Sequence, residues 1–321
     1  MTAYEIHGQG ILGKVPYVAE FVRAHGGDHG LAGYDAWVAE SFEWALGHAG
    51  RAFPDAFASG GVHAFALRAD ANADELVAGV VGPSADSAGR RFPLTVAGSV
   101  RAGDALVARP EVTPLVFESL WAAAGELWSP ARSGEVSDLR AAAAGFRPAS
   151  DLGVDEALGL YAEWAARVRV SELWESIGLE AAGAGDCLRL FVAAVEPFRG
   201  VERPETRLSL RLPLGRAGGV ALCFWIDALR RNLRWRRTVP SFFWWHESDR
   251  GAALVHLGTP PRATLAELFL PSDTRDEVCD LSSGERSSDP SALPPLADSI
   301  LGVLGRPGAT VAELLASLDG G

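Results

Sequence analysis

The sequence predicts an α/β protein: a mixed β-sheet covered by helices, followed by a second, smaller α/β region. Three observations predict it. Between Val77 and Val100, two apolar runs (residues 77–81 and 92–100) flank a centre of turn residues, which reads as two neighbouring strands and their connection. Residues 34–48 and 113–128 carry apolar side chains at helical spacing on either side of those strands. A similar order of strand, helix, strand, strand and helix returns over residues 207–269. At 321 residues the chain has room for about two ordinary domains. The reading divides it into an N-terminal domain over 1–135, a C-terminal α/β region over 150–280, and a linker with a short helical tail over 281–321.

Residues 8–15 read as a short strand that enters a turn at Pro16. In the helix over 34–48, Tyr34, Trp37, Val38, Phe42 and Ala45 share a face, and Gly50 is placed to end it. Residues 62–68 alternate as a strand does. In the connection after residue 81, Pro83 fixes its own φ, Ser84 and Asp86 suit bonds to nearby backbone N–H groups, and Gly89 suits a positive φ. Arg90 and Arg91 leave that loop, and Phe92-Pro93 closes it. The helix over 113–128 takes Thr113 as its N-cap and Pro114 at its first position. The polar stretch over 129–138 marks a boundary. Residues 151–177 read as mostly helical, with Ala157, Leu160, Tyr161, Trp164 and Val168 on one face. A strand over 207–212 ends at Pro213. Leu222, Trp225, Ile226, Leu229 and Leu233 then fall at i, i+3, i+4, i+7 and i+11, a strong helix signal. Residues 241–246 and 252–257 read as strands and 264–269 as a short helix. A Ser/Pro-rich linker covers 282–295, and short helices cover 296–304 and 310–318.

The formal charge of −12 argues against general nucleic-acid binding, which needs a basic footprint. Cys187, Cys223 and Cys279 are odd in number, widely spaced and without a CxxC pair, which fits buried thiols in a reducing compartment. No signal-peptide pattern opens the chain, and no apolar run approaches the roughly 20 residues of a bilayer span. A soluble, cytoplasmic protein without membrane insertion is the expectation.

Gly8-x-x-x-x-Gly13-Lys14 matches most of a phosphate-binding loop, but Val15 cannot ligate Mg²⁺ and Pro16 disfavours the helix that should begin there. Ser84, Asp86 and His63 offer the residue types of a nucleophilic triad without the Gly-x-Ser-x-Gly elbow. The seven histidines form no metal-binding pattern. No catalytic residue, cofactor or metal is therefore expected. Arg230, Arg231, Arg234, Arg236 and Arg237, with Trp235 among them, are the one basic concentration. They read either as a docking patch for an acidic or phosphorylated partner or as a solvated helix face with Asp227 pairing Arg231. Phe242, Phe243, Trp244 and Trp245 read as a strand buried on both faces.

The stretch Pro83-Ser84-x-Asp86-x-x-Gly89-Arg90-x-Phe92-Pro93-Leu94-Thr95 resembles the signature loop of the TagF (ImpM) family, associated with bacterial type VI secretion. Gly10-x-x-Gly13-Lys14-x-Pro16 with Phe21-Val22-Arg23, Asp35-x-Trp37 and Phe65-Ala66-Leu67 are similar to its N-terminal region. Leu210-x-Leu212-Pro213-Leu214, Phe224-Trp225-x-Asp227 with Arg230-Arg231, and Pro240-Ser241-x-Phe243-Trp244 are similar to its longer C-terminal region. The resemblance implies an αβα sandwich. It also implies a non-enzymatic cytoplasmic accessory protein that represses type VI secretion post-translationally by binding a component of the system, such as its forkhead-associated scaffold protein. The alternative is a hydrolase or phosphatase-like enzyme of the same phospho-signalling pathway, using Ser84, Asp86 and Arg90.

Overall fold

The computed structural model describes residues 3–25, 28–68, 74–148, 152–202, 204, 208–245, 251–271, 278–281 and 295–319. The first half runs β1 (Tyr4–Gly13), β2 (Val22–His25), α1 (His29–His48), α2 (Phe53–Ser59), β3 (His63–Arg68), β4 (Glu75–Ala85), β5 (Arg91–Ala102), α3 (Asp104–Ala108), α4 (Thr113–Val116), α5 (Glu118–Ser133) and α6 (Leu139–Gly145). The second runs α7 (Val154–Arg167), α8 (Val170–Ser176), α9 (Ala181–Val195), β6 (Ser209–Pro213), α10 (Gly218–Leu233), β7 (Ser241–Trp245), β8 (Ala252–His256), α11 (Thr264–Phe269), β9 (Val278–Asp280), α12 (Asp298–Leu304) and α13 (Val311–Ser317).

Among the described residues the strands form one sheet in the order β2-β1-β5-β4-β3-β7-β8-β6-β9. Pairing is antiparallel throughout except between β6 and β9, so the sheet is mixed. Side chains of a strand alternate between faces, and that alternation divides the core in two. Phe242 and Phe243 are neighbours in β7 and both fully buried. Phe242 belongs to the cluster that holds Val96, Trp121 and Trp225 and meets the Trp121 ring, whereas Phe243 belongs to the one that holds Phe42, Phe65 and Phe269 and meets the Phe65 ring. Helices α1, α2 and α11 cover the second face, and the other helices bury their apolar sides on the first. The product is an αβα sandwich. Two indoles fasten α5 to the sheet: Trp121 Nε1 donates to the Phe65 carbonyl at 2.9 Å and Trp128 Nε1 to that of Leu94 at 2.8 Å.

The two α/β regions read from the sequence share this sheet, because β3 pairs with β7 through Ala64, Phe65 and Ala66 against Trp244, Phe243 and Phe242. Several local expectations differ from what forms. Pro83 and Ser84 belong to β4 rather than to the loop. Pro83 stands opposite Pro93, so two residues without an N–H face each other and neither interrupts a needed bond. The helix expected over 113–128 is two helices separated at Phe117, where ψ opens to 1°, and α5 continues past Pro130 to Ser133. Thr113 is helical itself, and Val112 holds the N-cap position without a side-chain bond. The helix expected over 151–177 is α7 and α8, and Leu160 points outward at 51% exposure. The starts of the stretches expected at 151 and 207, the end of the strand at 246, and residues 282–294 of the linker lie outside the described residues.

Candidate interaction surface

The connection between β4 and β5 is a five-residue turn over 86–90 organised by one carboxylate. Asp86 N donates to the Arg90 carbonyl at 3.1 Å, and Gly89, at φ +78°, donates back to the Asp86 carbonyl at 2.9 Å. Asp86 Oδ1 accepts from the backbone N–H groups of Ala88 at 3.0 Å and Arg90 at 2.8 Å. Its Oδ2 accepts from Arg90 Nε at 2.6 Å and from Lys14 Nζ at 2.8 Å. The Asp86 side chain is fully enclosed by these donors. Lys14 first, then the Arg90 donors, holds its carboxyl well below the usual carboxylate range.

Lys14 arrives there because of Gly13. At φ +117° the backbone of Gly13 passes so close to Pro93 that a Cβ would sit 1.9 Å from the Pro93 carbonyl oxygen. Only glycine accepts both conditions. The segment over 14–21 then packs on the turn: Ser87 N donates to the Val18 carbonyl at 3.2 Å and Arg90 Nη2 to that of Ala19 at 2.7 Å. Lys14 is buried under the ring of Phe21, its Nζ 4.8 Å from the centroid. Phe21 in turn meets Phe92 edge-on at 4.8 Å, and the hydroxyl of Tyr17 donates to the Ala131 carbonyl at 2.9 Å.

These bonds tie the end of the sheet together, and its outer side carries aromatic as well as charged side chains. Tyr17 and Phe21 remain 43% and 41% exposed, beside the Arg90 side chain at 61%. Arg91 reaches Asp55 at 3.1 Å across the neighbouring exposed edge. Two exposed rings framed by guanidinium groups have the composition of a protein contact, in which aromatics and arginine are favoured anchors.

Residues 10–143 match the family model of the TagF N-terminal domain, described as type VI secretion system-associated. The chain carries a TagF N-terminal domain. In three dimensions the chain is similar to the crystal structure of PA0076 from Pseudomonas aeruginosa PAO1. That match is 18% identical over 83% of this chain and 96% of that one, with a TM-score of 0.47. No curated protein matches.

Within the TagF domain, Gly89, Arg90, Phe92 and Pro93 gather around Asp86 as the sequence suggests, but Ser84 does not. Among the described residues its buried Oγ has no hydrogen-bond partner, and neither does His63 Nδ1, so the two do not form a nucleophile–base pair. Burial first, then the nearby Arg211, pushes the His63 imidazole down to about 4. Among the described residues no group of three metal-ligating side chains occurs and no helix is long and apolar enough to cross a membrane.

Outside the TagF domain the arginine run divides: Arg230 and Arg231 turn to neighbouring acids, whereas Arg234, Arg236 and Arg237 stay exposed. Arg230 Nη2 donates to Asp227 Oδ1 at 2.7 Å, and Arg230 Nε lies 3.1 Å from Glu111 Oε2. Arg231 Nε donates to the same Asp227 oxygen at 2.9 Å, and its Nη1 pairs with Asp319. Arg234 closes α10 in the left-handed region at φ 55°, and Trp235 is buried with its Nε1 bonded to the Val201 carbonyl at 3.0 Å. Sequence reading named Lys14 in the phosphate-loop-like run and, with Phe21, in the family resemblance, but gave neither a place in a site, and it gave Tyr17 none.

Proposed function

We propose that this protein is a non-enzymatic accessory protein that restrains type VI secretion by binding a component of the system through the face formed by Tyr17, Phe21 and Arg90. The partner is the forkhead-associated scaffold protein of the same system, and the site of action is the cytoplasm. The observation that carries the reading is the saturated Asp86 carboxylate, whose four donors fix the turn and leave the aromatic rings outside. A carboxylate so occupied, and held so acidic, is a poor general base at neutral pH. It makes an effective strut. The TagF domain ties the chain to type VI secretion and supports the choice of partner class.

Overproduction of the chain in cells with an active type VI system tests this reading. Secreted effector protein in the medium should fall while its intracellular level is maintained, and a Phe21→Ser/Arg90→Glu variant should restore secretion. Unchanged secretion with the intact chain would contradict the proposal.

A further inference from the structure

We propose that the contact face extends from Tyr17 along the last turns of α5 to Val62, and that this extension takes a partner segment presenting a carboxylate beside apolar side chains. The inference rests on the function proposed above and adds residues which that reading does not use. Seven large apolar side chains are exposed among the described residues, and three of them, Tyr17, Phe21 and Val62, stand at one end of the sheet. The backbone brings them there. Gly13, Leu94 and Gly82 stand abreast on β1, β5 and β4, and Val62 directly precedes β3, whose His63 pairs with Val81. A Cβ at Gly82 would meet Trp128 Cζ2 at 2.7 Å and Val62 Cγ2 at 3.0 Å. The bare backbone at Gly82 therefore lets an indole of α5 and the Val62 side chain close over β4 side by side. Tyr17 reaches the same stretch of α5: its hydroxyl bonds the Ala131 carbonyl, and a Cβ at Gly134 would meet its ring at 3.1 Å.

Arg132 supplies the charge. It is exposed, its guanidinium carbon lies 5.5 Å from the centroid of the Trp128 ring, and among the described residues it makes no ion pair. The nearest acid in sequence, Glu135, accepts from Ser133 Oγ at 2.7 Å instead. Trp128 is fixed in turn by its bond to the Leu94 carbonyl, so the cation rests on a plane that does not have to be ordered on binding. A guanidinium on a ring face keeps its N–H groups for the two oxygens of a carboxylate. Arg230 and Arg231 have no such freedom, each being set against acids of its own fold. In a chain of net charge −12, a cation left without an acid beside an apolar strip is complementary to an acidic segment.

Calorimetric titration of the intact chain with the forkhead-associated scaffold protein proposed above, at about 50 and about 300 mM salt, tests the extension. Val62→Glu and Arg132→Glu should each weaken binding about fivefold or more at the lower salt. Arg132→Gln should also flatten the salt dependence. Leu160→Glu, which alters an exposed apolar residue on α7, should bind within about twofold of the parent. Val62→Ser keeps the apolar arm readable if Val62→Glu unfolds, and should weaken binding about twofold or more. If Phe21→Ser/Arg90→Glu weakens binding while the folded Val62 and Arg132 variants bind as the parent does, the extension is overturned and the face proposed above stands. A loss shared equally by Leu160→Glu would overturn it too. Parent-like salt dependence in Arg132→Gln would overturn the carboxylate assignment. No binding by the parent chain would overturn both the extension and the reading it rests on.

Discussion

Asp86 and Asp227 are both enclosed, and each grips two basic side chains, yet those side chains end in different places. Around Asp86, Lys14 is buried while the Arg90 side chain stays 61% exposed, next to Tyr17 and Phe21. Around Asp227, the Arg230 and Arg231 side chains keep only 20% and 22% of their surface. Additional acids make the difference. Glu111 and Asp319 take up the remaining sides of Arg230 and Arg231, so that cluster is closed on itself. At the Asp86 turn one carboxylate serves both cations, and the surplus charge faces solvent. An arginine is available to a partner according to how many acids the fold sets against it, not according to how many arginines adjoin it in sequence.

The comparison can be broken most severely at Gly13. Gly13→Ala sets a Cβ against the Pro93 carbonyl at a positive φ, which should destabilise the fold by about 3 kcal/mol or more in urea unfolding. A loss below about 1 kcal/mol would mean that the Lys14–Asp86 strut does not depend on that close approach. Next in size, Asp227→Ala strands two half-buried guanidinium groups and should cost about 3 kcal/mol. Because that cluster is closed, the same change should leave partner binding within about twofold among molecules that remain folded.

Acid should separate the two clusters by sign. The carboxyl of Asp86 is lowered, so its stabilisation is present above the ordinary aspartate value near ~3.9 and is lost as pH falls below it. The carboxyl of Glu111 is raised, chiefly by burial, against the attraction of Arg230. Its contribution is present below the ordinary glutamate value near ~4.3 and is lost as pH rises through the raised one. Urea midpoints against pH should therefore show the deficit of Asp86→Asn shrinking below about pH 4, and Glu111→Gln gaining on the parent chain as pH rises from about 4.3. Parallel curves would contradict the opposed environments. The smallest expected effect on stability is that of Arg91→Ala, under about 1 kcal/mol, because its pair with Asp55 is exposed.

Much of the scaffold was legible because its signals are local. The helical spacing of Tyr34, Val38, Phe42 and Ala45 returns as the buried face of α1, and Phe242 and Phe243 take opposite sides of β7 as a period of two requires. The Asp227–Arg231 pair was legible for the same reason, lying one helical turn apart. By contrast, α9 went unread although Ala184, Leu188, Phe191 and Val195 are buried at helical spacing, because Gly183 and Gly185 obscure its start. The Lys14–Asp86 bond joins residues 72 apart and leaves no trace in either segment. The exposure of Tyr17 and Phe21 follows from that bond, so the surface became visible only with the fold.

The most direct test of the central claim is calorimetric titration of the intact chain with the purified forkhead-associated scaffold protein, repeated with Phe21→Ser/Arg90→Glu and with Arg231→Glu/Arg234→Glu. The account predicts that the first pair weakens binding at least about tenfold among molecules that remain folded, while the second pair, where folded, binds as the parent does. Undiminished binding by the first pair, or a loss confined to the second, would contradict it.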